Sequence, residues 1–269
     1  EATDFNLFAS YQDDKSGVGS FFARGTLLPN PLGAVPTSNY LGSSTDGYLR
    51  EQWLLGYRLD HDFGDGLRLR SSGDYTNTTA SIQYPLVYSL RADNRTATRY
   101  LGITPEDMES LTLDNSLEYA FDTGAIGHRV LIGFDYMSAK ANRDDIPIYF
   151  DETTVDIYNP DNSPGELGDR YTQLYFIQRQ YGLYVQDQIA LGGLRLTLGL
   201  RHDWAQTDGW TSYFVPTQDY RQRDRKLTGR AGAVYLFENG LAPFVNFSTS
   251  FEPEPGATRT GRPYDPVTG

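Results

Sequence analysis

The chain has 269 residues, a formal net charge of −12 and no cysteine. Disulfides and cysteine-ligated metal clusters are excluded, and nucleic acid is a disfavoured partner because its phosphates repel an acidic chain. Mean hydropathy is −0.51, and the longest apolar or glycine run, Ala231 to Phe237, is far short of the ~20 apolar residues of a membrane-crossing helix. Aromatics at 14% argue against disorder. Length alone suggests one or two soluble domains, but a barrel that crosses a membrane strand by strand can hide in such an average.

The dominant signal is alternation over runs of about ten residues, which gives a strand one apolar and one polar or small face. The first run sets Phe5, Leu7, Ala9 and Tyr11 against Asn6, Ser10 and Gln12. Next, Trp53, Leu55, Tyr57, Leu59 and Phe63 oppose Gln52, Gly56, Arg58, Asp60 and Asp62. Leu67, Leu69 and Tyr75 then oppose Arg68, Arg70, Ser72, Asp74 and Thr76. Leu111, Leu113, Leu117, Tyr119 and Phe121 oppose Thr112, Asp114, Ser116 and Glu118, and Val130, Ile132, Phe134 and Tyr136 oppose Arg129, Gly133 and Asp135. Tyr181, Leu183, Val185 and Ile189 oppose Gln180, Gly182, Gln186 and Gln188. Leu194, Leu196, Leu198, Leu200 and Trp204 oppose Arg195, Thr197, Gly199, Arg201 and Asp203. Two further strands are predicted around 226–237 and 241–251, making about nine strands and no amphipathic helix.

The connections alternate in length. Gly/Asp/Asn-type turns at 62–66, 122–127, 191–193 and 238–240 suit tight hairpins. Between them lie long stretches, 13–49, 80–110, 139–178 and 207–222, all at the other end of the hairpins. Such lengths are uncommon in compact soluble domains, and short turns at one end with long loops at the other mark an outer-membrane β-barrel. If the apolar face meets lipid, aromatics belong at both headgroup levels. They are there: Tyr11, Trp53, Tyr136, Tyr181, Trp204 and Phe251 on the long-loop side, and Phe63, Tyr119, Phe121, Tyr235 and Phe237 on the short-turn side. A soluble β-sandwich alternates too, but has no reason to place aromatics at both strand ends.

Four stretches carry a family resemblance: Trp53 to Arg70; Leu113 to Tyr136; Gly182-Leu-Tyr-Val-Gln-Asp-Gln188 with Leu196 to Trp204; and Tyr235-Leu-Phe-Glu-Asn-Gly240 with Ser250-Phe-Glu-Pro253 and Gly261 to Pro266. In this order they resemble a TonB-dependent siderophore receptor, and within that family the ferric-hydroxamate receptors of the ferrichrome type. The resemblance implies an all-β fold: a transmembrane antiparallel β-barrel segment, about nine strands of a barrel of about 22, with short periplasmic turns and long extracellular loops. Residues 1–269 then form a partial receptor barrel domain. The chain opens without a signal-like segment and closes on a loop-like stretch. The N-terminal plug with its TonB box and the C-terminal strands are expected to lie outside it.

The family binds a ferric siderophore in a cavity open to the outside, lined by aromatics. Three stretches match such positions: Phe21 and Phe22 above the first strand, Phe21 being the better match; Tyr84 and Tyr88 in the second long loop, with Leu86 where the family has a second tyrosine; and Tyr149 and Phe150 in the third. Rings supply contact area at low entropic cost, and tyrosine adds a hydrogen-bonding tip. The competing reading is that these rings pack loop against loop or join the upper girdle. The ferrichrome type carries a cysteine pair in the second loop that is missing here, which leaves the shape of that loop and the identity of the siderophore open.

The stretch 139–178 is acidic, with Asp144, Asp145, Asp151, Glu152, Asp156, Asp161, Glu166 and Asp169; it reads as a solvated loop or as attraction for a cationic chelate or for divalent ions. His202 and Asp203 are adjacent and so point to opposite faces. His61, His128 and His202 have no metal-ligand spacing, and no phosphate loop, nucleophile motif or dinucleotide fingerprint is present. The expected function is therefore not enzymatic. As the resemblance implies, it is active transport of a ferric siderophore of the hydroxamate type, energised through TonB and with no resident cofactor, across the outer membrane of a Gram-negative bacterium. The expected partners are the siderophore, the TonB complex through the plug, and outer-membrane lipid and lipopolysaccharide. The alternatives are a passive porin and a surface receptor exploited by phage or bacteriocin.

Overall fold

A computed structural model of the chain describes residues 2–19, 25–147, 153–164, 172–212, 218–254, 258, 262 and 264–269. Its strands are β1 (Thr3–Ser16), β2 (Gly47–Gly64), β3 (Leu67–Leu90), β4 (Thr96–Thr123), β5 (Ile126–Pro147), β6 (Thr153–Asp156), β7 (Thr172–Leu191), β8 (Leu194–Thr211), β9 (Gln218–Tyr235), β10 (Phe244–Ser248), β11 (Phe251–Glu252) and β12 (Val267–Thr268). Nine of them form one antiparallel meander, β1-β2-β3-β4-β5-β7-β8-β9-β10, with β6 added to β4 and β11–β12 a separate pair. No helix occurs among the described residues.

Three of the four turns at one end are two-residue hairpin connections. Asp65-Gly66 joins β2 to β3 with both residues at positive φ, 50° and 80°, the requirement of a type I′ turn. Gly124-Ala125 and Gly192-Gly193 place a glycine at φ 68° and 53° in the first position, as a type II′ turn requires. The fourth expected turn, 238–240, is a three-residue loop with Gly240 at φ 87°, closed by Gly240 N–H donating to Phe237 O at 3.0 Å and Phe237 N–H donating to Leu241 O at 2.9 Å. β9 stops at Tyr235 and β10 starts at Phe244. Pro243 has no N–H to donate, but its carbonyl accepts from Tyr235 N–H at 3.1 Å, so backbone pairing carries on from the strands to the turn.

Strand pairing continues well beyond the alternating segments. The stretch 80–110, expected to be a loop, is mostly ladder: β3 and β4 pair from Leu67–Tyr119 up to Leu90–Ala97, leaving only residues 91–95 as a tip. Pro85 and Pro105 lie inside these strands, and the β4–β5 ladder skips Thr104 and Pro105. Prolines and lost alternation hide a strand from sequence reading, yet the backbone bonds do not depend on which face is apolar. Phe251 is a second correction. It pairs with Thr268 in the small separate sheet, so it is not part of the girdle.

Register settles the two faces. The Cα partners Leu7↔Tyr57, Tyr57↔Gly73, Leu117↔Ile132, Ile132↔Val185 and Val185↔Leu200 carry one apolar face around the sheet. These side chains stand in the open: Leu7 is 69% exposed, Leu55 54% and Leu200 56%. Lipid is the medium in which such a surface is stable. Rings mark its borders, with Tyr11 against Trp53 (4.4 Å between centroids) and Tyr136 against Tyr181 (4.9 Å) above, and Tyr119 against Phe121 (5.2 Å) and Tyr235 against Phe237 (4.5 Å) below. Three polar side chains on this face bond to one another, which lowers the cost of placing them in hydrocarbon: Tyr57 Oη meets Ser71 Oγ at 3.0 Å, and Ser71 Oγ donates to Asn115 Oδ1 at 2.7 Å.

Candidate functional site

The opposite face is polar and its side chains lie flat along the wall. Arg201 of β8 reaches back over β7 to Asp135 of β5, donating from Nη2 to Oδ1 at 2.9 Å, while its Nε and Nη2 hold Asp203 at 2.9 and 2.7 Å. Gly182 makes this possible: it sits between Asp135 and Asp203 in the ladder, and a Cβ there would meet Arg201 Nη2 at 2.1 Å. The Tyr184 ring likewise lies across Gly133, and its hydroxyl donates to Asp114 at 3.2 Å. Nearer the short turns, Asp60 accepts from Arg68 and Arg70, which also reaches Glu118 at 3.4 Å. Side chains that lie down leave hollows of about 630 Å³ beside Arg58 and Arg70 and about 400 Å³ beside Arg201 and Arg230. Asp203 belongs to this inward network while His202 points the other way, against Trp204 (4.2 Å between centroids).

At the long-loop end, the connection after β1 folds onto the β3–β4 hairpin. Val35, Leu41, Ala97, Val155 and Ile157 form a small buried core, flanked by Val87, Leu90 and Tyr158. Side-chain amides lace its pieces together, which satisfies loop carbonyls that the core takes out of water. Asn39 Nδ2 donates to Ile157 O at 2.9 Å, Asn162 Nδ2 to Tyr40 O and Gly42 O at 2.8 and 2.7 Å, and Arg99 Nη1 to Leu41 O at 2.8 Å. Burial and a hydrogen bond to the Asp46 carboxylate push the Tyr40 hydroxyl well above the ordinary tyrosine range. Two of the acidic residues in 139–178 serve this cap: Asp156 accepts from Arg95 Nε at 2.7 Å, and Asp161 accepts from the Ser163 amide at 2.9 Å.

Of the six sequence-predicted contacts, Tyr84 is placed most fully. It is half-buried on β3, on the face continuous with the polar wall, opposite Gly102. Tyr88 is the residue passed over at the β3 bulge between Val87 and Ser89, and its side chain lies outside the described residues. Phe21, Phe22, Tyr149 and Phe150 also lie outside them. Sequence reading missed Tyr100, which pairs with Leu86 on the same face as Tyr84; the signal was the alternation of Thr98, Tyr100 and Gly102 with Ala97, Arg99 and Leu101.

A meander with a lipid face, two aromatic girdles, an inward polar wall, short turns below and a folded cap above is the wall of an outer-membrane β-barrel. The chain belongs to the TonB-dependent receptor family: the family described as "TonB dependent receptor-like, beta-barrel" matches residues 2–269. Its location is the outer membrane of a Gram-negative bacterium. The chain is 28% identical to the ferrichrome outer membrane transporter/phage receptor of Escherichia coli K12, covering 100% of this chain and 39% of that protein. It is 32% identical to the ferrioxamine B receptor of Salmonella typhimurium, again over 100% of this chain and 38% of the relative. It thus spans well under half the length of these relatives. Among solved structures, the ferric-catecholate import receptor Fiu of E. coli K12 superposes with a TM-score of 0.79 at 18% identity, over 98% of this chain and 45% of that one, a likeness of fold.

Proposed function

We propose that this chain is barrel wall and part of the ligand mouth of a receptor that actively imports a ferric siderophore of the hydroxamate type. The observation that carries the reading is the end-to-end similarity to receptors for ferrichrome and ferrioxamine B, with Tyr84 set on the inward face of the mouth. Iron would arrive fully chelated, so the protein needs neither an iron ligand nor a resident cofactor, and performs no chemistry on its cargo. A plug and the remaining strands would be supplied by parts of the receptor beyond this chain, and release would be driven by TonB acting on that plug.

The test is binding and uptake by the full-length receptor. Tyr84→Ala should weaken ferric-hydroxamate binding about tenfold, the equivalent of ~1.4 kcal/mol, with outer-membrane yield unchanged. Uptake should vanish in a strain lacking TonB. Unaltered affinity rejects the Tyr84 contact, and TonB-independent uptake favours a passive pore.

The outward face supports a lipid partner. Arg221, Arg223 and Arg225 stand exposed on β9, and Arg225 is level with the girdle residue Trp204. Their charges would meet the phosphates of the outer-leaflet glycolipid. The E. coli relative is also described as a phage receptor, and the folded cap gives this protein a firm extracellular surface for the same use.

A further inference from the structure

The extracellular half of the β3–β4 hairpin has two unlike faces. One is buried under the cap: Ala97 and Leu101 are each 1% exposed, and Arg99 donates to the carbonyls of Leu41 and Gly42. The other carries Tyr84, Leu86 and Tyr100. The β3–β4 register is unbroken from Leu86↔Tyr100 down to Leu67↔Tyr119. Alternation therefore puts Tyr100 on the same side as Asp114 and Glu118, the side of the polar wall.

Tyr100 does not stand out from its strand. Its ring lies along β4 over Gly102, where a Cβ would come within 2.7 Å of Tyr100 Cε1 and 3.0 Å of its hydroxyl. Gly102 is the ladder partner of Tyr84. The bare backbone at 102 thus allows the Tyr100 phenol to be laid beside the position from which Tyr84 projects. We propose that Tyr100 is a second ligand-contacting tyrosine of the mouth, positioned by Gly102, and that with Tyr84 it forms a shelf for the ferric hydroxamate chelate. This rests on the transport reading above.

The chemistry suits that cargo. A hydroxamate chelate presents oxygen acceptors around the iron and methylene chains outside them. Phenol hydroxyls donate to the first and ring faces cover the second. The shelf is also held before the ligand arrives, because the cap clamps the reverse of the same hairpin. Pre-ordering of contact residues lowers the entropic cost of binding.

The experiment uses the full-length receptor with ferrichrome and ferrioxamine B as probes. Folding is checked by heat-modifiable migration. Tyr100→Ala is expected to weaken binding of at least one chelate about tenfold. Gly102→Ala keeps both tyrosines but displaces the Tyr100 ring, and is expected to weaken binding of the same chelate. Tyr100→Phe separates ring from hydroxyl and remains available if the alanine variant does not assemble; a loss of several-fold is expected. If Tyr84→Ala weakens binding while all Tyr100 and Gly102 variants bind as the unsubstituted receptor does, the shelf is overturned and the transport reading stands. If the unsubstituted receptor binds neither chelate, both fall.

Discussion

Ile157→Ala tests whether the cap is a folded unit. Ile157 is 0% exposed and packs with Val35, Leu41, Ala97 and Val155, which come from three separate stretches of chain. Truncating a fully buried isoleucine costs ~2–5 kcal/mol, because transfer energy is lost and a cavity is left. At 1.4 kcal/mol per factor of ten, opening of the cap should become about 30-fold to a few thousand-fold more frequent. The loss should stay local, since the barrel wall is held by its own ladders and not by this core. Hydrogen exchange on the full-length receptor reads it directly: the Ser44 amide, bonded to Asn162 O at 2.8 Å, and the Val35 amide, bonded to Gly25 O at 2.8 Å, should lose protection while β7 and β8 amides keep theirs. Leu28→Ala, at a side chain 65% exposed in the same connection, should change little. Cap protection that is unaltered by Ile157→Ala, or lost equally across the barrel, refutes a separate cap core.

Two further outcomes follow from the assignment of faces and from the hairpin tip. Leu55 and Leu27 are exposed at 54% and 77%, but only Leu55 lies on the lipid face. Leu55→Arg should cost ~2–4 kcal/mol and lower outer-membrane yield and urea resistance, whereas Leu27→Arg should be neutral; equal behaviour would remove the lipid assignment. At the tip, the Asp93 carboxylate accepts from the Thr96 hydroxyl and from the Thr96 and Arg95 amides, which lowers its pKa to about 2. A depressed carboxyl stabilises the tip above its ordinary pKa, and that contribution is lost as pH falls from about 4 through 2. Pepsin cleavage at 91–96, measured relative to Asp93→Ala, should therefore rise toward the variant's rate as pH falls through that window. A ratio independent of pH counts against the assigned bonds.

The transmembrane part of this protein was legible because a lipid face imposes a strict rule on every second residue. Alternation alone puts Leu55, Ile132 and Leu200 on the apolar face of their strands, and the register places them there. The glycine turns at 65–66, 124–125 and 192–193 were legible for a related reason, since positive φ restricts residue choice. Above the membrane that rule lapses. Both faces of the β3–β4 extension are in contact with protein or water, and Pro85 and Pro105 interrupt the strand signal, so 80–110 read as loop. Tyr84 is legible by resemblance, whereas Tyr100 is marked only by the alternation of 97–102, which does not show that its ring lies over Gly102.

The amino-acid sequence by itself determined the strands that cross the membrane, their direction and the face that meets lipid. These follow from the period-2 pattern and from the chemistry of a solvent without hydrogen bonds. Only the tertiary structure decided which distant segments meet. The cap core joins Val35, Leu41, Ala97 and Ile157, and Arg201 crosses Gly182 to reach Asp135. Contacts of that kind depend on pairing between strands and on loops folding back across them, and such distances are not written in any local pattern.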